Sequence, residues 1–175
     1  TPPIKVNSVK NYGGKIILYG DNFDEAYAHA NKLAQKEGYT FIHPYDDKDV
    51  IAGQGTVGKE LIEQVKEGID AIFVPVGGGG LLAGLGTYVK ALSPKTRIIG
   101  VEPEDAACLK LALDNNKRLS LKEVGLFADG VAVKQIGKET YSLIKEWIDD
   151  VVTVSVDEMC ASVQDTFQET RIISE

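Results

Sequence analysis

Residues 75–84 read PVGGGGLLAG, with four glycines in succession. That is a costly choice, because glycine gives up more backbone freedom on folding than any other residue. The run follows an apolar stretch, AIFVPV (71–76), and leads into LLAGLGTYVKAL (81–92), whose apolar residues recur at helical spacing. A strand, a bare loop and a helix start in that order put unpaired amide N–H groups and the positive end of a helix dipole behind a surface stripped of side chains. An anion can then reach the amides, and phosphate is the usual occupant. A tight turn that needs positive φ explains one or two glycines, whereas this loop has four.

Three phosphate chemistries compete for such a loop. A nucleotide P-loop closes on a Lys-Ser/Thr pair; Leu81 and Leu82 stand there, so that reading fails. A dinucleotide fingerprint fits better, since Gly78, Gly80 and Ala83 match G-x-G-x-x-A. Glu102 then ends the next apolar run about 20 residues on, where such folds place a ribose-binding acid. That pattern leaves Gly77 and Gly79 unexplained. The third chemistry is the compact phosphate monoester of pyridoxal phosphate.

For that third chemistry there is a resemblance to weigh. PVGGGGLLAG resembles the tetraglycine loop of the fold-type II pyridoxal-phosphate enzymes, and three further segments follow the same family in order: DVIAGQGTVGKEL (49–61), IIGVEPEDAACL (98–109) and GLFADGVAVKQIG (125–137). Together they are similar to the threonine dehydratases, biosynthetic type, over nearly the whole chain. GLFADGVAV sets them apart from the related serine racemases and serine dehydratases. The resemblance implies a partial fold of the tryptophan-synthase-β kind, an α/β architecture with a twisted parallel sheet flanked by helices. It implies pyridoxal phosphate as cofactor, held by Gly77, Gly78, Gly79, Gly80 and Leu81. Asp129 and Gly130 would lie beside the cofactor pocket, and Glu175 near the cofactor ring. Glu102 and Ala106 match positions where serine racemases bind a divalent cation, but Cys108 replaces the expected carboxylate. Hard cations want oxygen ligands, so no metal is expected and Glu102 reads more simply as a strand-end surface acid.

The resemblance also implies what these residues do not supply. The lysine that binds the cofactor aldehyde belongs to an S-F-K-x-R-like segment, and the substrate carboxylate is gripped by an S-x-G-N-H-like loop; neither occurs in this sequence. Lys134 follows DGVAV but has nothing that would desolvate it, so it is not taken as a substitute. The expectation is a segment of an enzyme that converts L-threonine to 2-oxobutanoate and ammonia, in isoleucine biosynthesis, with the segment alone inactive. A serine dehydratase or racemase, or a non-catalytic phosphate- or dinucleotide-binding module, is the alternative.

The elements that must position the loop can be read from periodicity. Apolar, branched runs at 15–20, 39–44, 71–76, 97–102 and 151–156 read as buried strands. Helical patterns fall at 2–12, 22–37, 57–67, 81–92, 137–148 and 157–172, and SVDE (155–158) has the form of a capping box. The alternation implies a parallel sheet with helices on its faces. Residues 1–44 are expected to be the tail of a smaller cofactor and substrate domain, and 45–175 the main part of a larger one. Gly53, Gln54 and Gly55 would bring a helix start near the pocket floor or serve helix packing. His43 is expected to be structural, and Trp147 and Phe167 to sit in the core.

Composition bounds the rest. A chain of 175 residues with 43% hydrophobic and 26% charged content is ordinary globular material. A net charge of -7 supplies no basic stripe for nucleic acid. Cys108 and Cys160 have no metal-like spacing and read as free thiols in a reducing compartment. No apolar run approaches a membrane span, so the expected setting is cytoplasm or an organelle matrix. Both ends read as cuts in a longer polypeptide that would form homo-oligomers and act on a small amino-acid substrate.

Overall fold

The computed structural model describes residues 2–20 and 23–173. The chain divides into two compact units, Thr1–Ile42 and His43–Glu175. The first contains helices α1 (Pro3–Asn11) and α2 (Phe23–Glu37). The second contains α3 (Lys48–Gln64), β1 (Ala71–Pro75), α4 (Gly80–Leu92), β2 (Arg97–Pro103), α5 (Cys108–Asp114), α6 (Lys138–Ile144), β3 (Asp150–Val154) and α7 (Val156–Thr170).

The expected parallel α/β arrangement is present in the second unit. β2 lies between β1 and β3, and both pairings are parallel, with Ile72 opposite Ile98 and Val101 opposite Val152. Parallel strands need both faces covered. The face carrying Val74, Val76 and Ile98 is covered by a core of Leu82, Leu85 and Val89 of α4, Leu109 of α5, and Ile136 and Ile144 around α6, whereas Phe73 on the other face is exposed. Ser155 and Glu158 form the expected capping box at the start of α7, each side chain accepting from the other's backbone N–H.

Several expectations are corrected. Residues 15–20 and 39–44 form no strand; among the described residues neither finds a partner ladder, and Ile17, Leu18, Tyr19 and Ile42 are exposed. A strand exists through its pairing, so an apolar run without a neighbour has nothing to form against. α3 begins at Lys48 rather than at 57, because Asp47 caps it by accepting from the N–H groups of Asp49 (2.9 Å) and Val50 (3.1 Å). Gly53, Gln54 and Gly55 therefore lie inside a helix, not at its start. α5 was not anticipated, being too short to show a period. Phe167 is exposed against Arg171 rather than in the core, and Asn22 of the expected 22–37 helix lies outside the described residues.

Candidate functional site

β1 delivers the chain to the glycine loop, and the ladder continues one residue further, with Val76 N–H donating to Val101 O at 2.9 Å. Gly79 then takes a left-handed conformation (φ 88°, ψ 3°) as the N-cap of α4, and Ala83 N–H closes the first helical turn on Gly79 O at 2.8 Å. Among the described residues, no backbone carbonyl accepts from the N–H groups of Gly77, Gly78, Gly79, Gly80, Leu81 or Leu82. A helix start leaves such donors open. A set made only of N–H donors suits an anion and does not suit a metal cation, which needs oxygen ligands. The phosphate of pyridoxal phosphate is chemically what these donors fit.

The protein's own packing also bears on the glycines. A side chain on them was expected to displace a phosphate. The space each Cβ would take is filled by the protein's own atoms. At Gly78 it would fall inside the Tyr45 ring, and at Gly80 it would stand 3.0 Å from Tyr45 Cβ. At Gly77 it would stand 3.0 Å from Val131 Cα, and at Gly79 2.7 Å from Ile136 Cδ1. Packing crowds a side chain at all four positions, most severely at Gly78, and Gly79 has a left-handed φ as well.

The wall behind the loop comes from two distant segments. His43 Nδ1 accepts from the backbone N–H of Tyr45 (3.2 Å) and Asp46 (2.8 Å), which folds HPYDD (43–47) into a compact turn and gives His43 the structural part expected of it. That turn lays the Tyr45 ring on Gly78 and aims the Asp46 carboxylate at the start of α6. There Asp46 accepts from the N–H groups of Lys138 (2.8 Å), Glu139 (2.8 Å) and Thr140 (3.3 Å). The fully buried Thr140 hydroxyl donates to Gly78 O at 2.8 Å, and Gly137 N–H donates to the same oxygen at 3.2 Å. Tyr45, Asp46 and Thr140 were not singled out from sequence. An acidic pair after His-Pro was the available signal, but the helix that Asp46 caps begins 92 residues away.

Glu102 is not a surface acid. It is fully buried at the end of β2, and its two oxygens accept from the N–H groups of Leu109 and Lys110, both at 2.8 Å. A carboxylate in an apolar interior needs such partners. Burial pushes its pKa up, and the two amides offset part of that rise. With both oxygens committed to the first turn of α5, Glu102 is also not free to read a ribose. Cys108 Sγ–H donates to Gly77 O at 3.4 Å, and the Glu102 carboxylate is a second acceptor beside the same thiol. Burial, and then the neighbouring Glu102 charge, push this thiol up to about 12, so it stays protonated and is a donor rather than a nucleophile.

The other candidates are more dispersed. Asp129 and Gly130 are exposed in a short 3-10 turn, Asp129–Val131; Val131 is the member of that turn that abuts Gly77. Ala106 is buried in another 3-10 turn, Glu104–Ala106, next to α5. Lys134 is exposed. Glu175 lies outside the described residues. No helix among the described residues is long and apolar enough to cross a membrane.

Known proteins resemble this chain over its whole length. The family profile described as "Pyridoxal-phosphate dependent enzyme" matches residues 1–175. The chain is 56% identical over its whole length to a protein named threonine dehydratase 1 biosynthetic, chloroplastic, of Solanum lycopersicum, and 50% identical to the biosynthetic L-threonine dehydratase of Escherichia coli. It spans 29% and 34% of those two proteins, so it corresponds to about a third of each. Among solved structures, a processed threonine deaminase isoform 2 of Solanum lycopersicum superposes with a TM-score of 0.95 at 47% identity, the match covering 100% of this chain and 51% of that one. A serine racemase of Dictyostelium discoideum superposes with a TM-score of 0.88 at 33% identity, covering 100% of this chain and 55% of that one.

Proposed function

Since this chain belongs to the pyridoxal-phosphate dependent enzymes, we propose that its Gly77–Leu81 amides hold the cofactor phosphate in a protein that deaminates L-threonine to 2-oxobutanoate and ammonia. The observation that carries this reading is the row of open N–H donors between β1 and α4, in a chain half identical to named threonine dehydratases. When bound, the cofactor supplies an electron sink at the substrate's α-carbon. The work of these residues is to bind and orient. Donors fixed at the end of a strand hold the phosphate, and a fixed phosphate limits where the ring can lie.

Around that grip, Asp129 and Gly130 border the pocket. Glu102 and Ala106 hold no metal. Residues 1–44 belong to the smaller domain and 45–175 to the larger. The lysine that binds the cofactor aldehyde comes from a part of the longer protein beyond these residues. The protein is a homo-oligomer of the cytoplasm or an organelle matrix; relatives named chloroplastic and mitochondrial support the second setting.

The test is turnover by the intact polypeptide with and without pyridoxal phosphate. Cofactor-dependent 2-oxobutanoate from L-threonine, faster than pyruvate from L-serine, is expected. Serine as the better substrate, or serine racemisation, would favour the serine enzymes seen among the structural neighbours. No turnover of either, with no cofactor retained, would contradict the proposal.

A further inference from the structure

Two carbonyls of the glycine loop are tied to buried side chains, and each tie fixes an amide. Gly77 O accepts from the Cys108 thiol at 3.4 Å. Gly78 O accepts from the Thr140 hydroxyl at 2.8 Å and from Gly137 N–H at 3.2 Å. The described peptide bonds include no cis bond. In a planar trans peptide, the C=O of one residue and the N–H of the next point in opposite directions. Holding Gly77 O toward α5 therefore turns Gly78 N–H away from α5. Holding Gly78 O toward α6 turns Gly79 N–H away from α6. A carbonyl that accepts a hydrogen bond also makes the N–H of its own peptide a better donor.

Each tie has its own support. Asp46 accepts from the first amides of α6, including Thr140 N–H, so the hydroxyl-bearing turn is anchored by a carboxylate from the HPYDD turn. Glu102 accepts from Leu109 and Lys110 at the first turn of α5, which carries Cys108. Neither anchor is close in sequence to the loop, and a loop of four glycines has no side chains with which to set its own peptide planes.

Resting on the phosphate-cradle reading above, we propose that Thr140, anchored by Asp46 and assisted by Cys108, is a positioning residue that aims the Gly78 and Gly79 amides at the cofactor phosphate. The consequence is specific. Losing the Thr140 hydroxyl weakens what the phosphate contributes to binding and leaves the rest of the cofactor's binding unchanged.

The experiment compares Thr140→Val, which keeps the shape and removes the donor, with Thr140→Ser, which restores it, in the intact polypeptide. Dissociation constants for pyridoxal phosphate and for pyridoxal are measured by equilibrium dialysis. Thr140→Val is expected to weaken pyridoxal phosphate roughly tenfold and leave pyridoxal within about twofold, with Thr140→Ser close to wild type on both. Unchanged pyridoxal phosphate binding in Thr140→Val, or equal weakening of both ligands, would overturn the inference. Should Thr140→Val fail to fold, Cys108→Ala against Cys108→Ser applies the same comparison, with the same two outcomes, at Gly77 O. A wild-type protein that binds pyridoxal phosphate no better than pyridoxal overturns the cradle reading itself, and this inference with it. A wild-type preference that Thr140→Val leaves intact overturns this inference alone.

Discussion

Gly79 carries two constraints at once: a φ of 88° and an inward direction closed by Ile136, Ile144 and Thr140. Gly79→Asp should therefore lose cofactor binding and also lower stability by about 2–5 kcal/mol, from backbone strain and overpacking together. Thermal unfolding and cofactor absorbance on the same sample check this; a variant with wild-type melting would contradict the packing account of the loop. Asp46→Ala should cost about 1–2 kcal/mol, the size of a lost helix cap, measured by chemical denaturation. A loss well below that would mean that the α6 amides find another acceptor. At this scale the sequence singled out the glycine run but not the packing that surrounds it. Their neighbours Tyr45 and Thr140 stand far away in the chain, one on each side of the loop. Glu102 was misread for a related reason: a strand-end acid looks solvated until the helix start that buries it is known.

At the scale of elements, α3 and α4 meet backbone to backbone at their glycines. A Cβ on Gly84 would run into Ile51 O and stand 2.6 Å from Gly55 N, while one on Gly55 would stand 3.2 Å from Gly84 O. These are backbone neighbours that cannot swing aside. Gly84→Ala, which on an isolated helix would stabilise by up to about 1 kcal/mol, should here destabilise by about 1–3 kcal/mol. A rise in the denaturation midpoint would contradict that packing. A second tie joins α4 to the sheet: Asp149 Oδ2 accepts from Ile98 N–H at 2.6 Å and pairs with Lys90 Nζ at 2.7 Å. Partial burial pushes the Asp149 carboxyl up, but the Lys90 ammonium and the Ile98 amide outweigh it and hold it below the ordinary aspartate value. A folded-state pKa below the unfolded one gives stability that is present at neutral pH and lost as pH falls through the acid range. Denaturation from pH 7 down to about 3 should therefore show a smaller acid loss in Asp149→Asn than in wild type, and equal slopes would contradict the assignment. The sequence revealed the parallel strands 71–75, 97–103 and 150–154 to within a residue or two. It over-read 15–20 and 39–44, because apolar branched runs report burial tendency and carry no information about whether a partner strand is present.

At the scale of the molecule, the chain divides into two compact units, Thr1–Ile42 and His43–Glu175. The second unit brings together the end of β1, the starts of α4, α5 and α6, and the HPYDD turn. Chemistry at helix starts needs no charged side chains in the loop, which is why composition was silent about it and only the glycine run was visible. On the proposed function, this loop binds a phosphate through its amides. The measurement that tests it most directly is the affinity of the intact wild-type polypeptide for pyridoxal phosphate relative to pyridoxal. A cradle of several amides at a helix start should favour the phosphorylated cofactor by at least about a hundredfold, from two or more charge-assisted hydrogen bonds. Equal affinity for the two would mean that the amides of Gly77–Leu81 do not hold a phosphate, and the account would fail at its base.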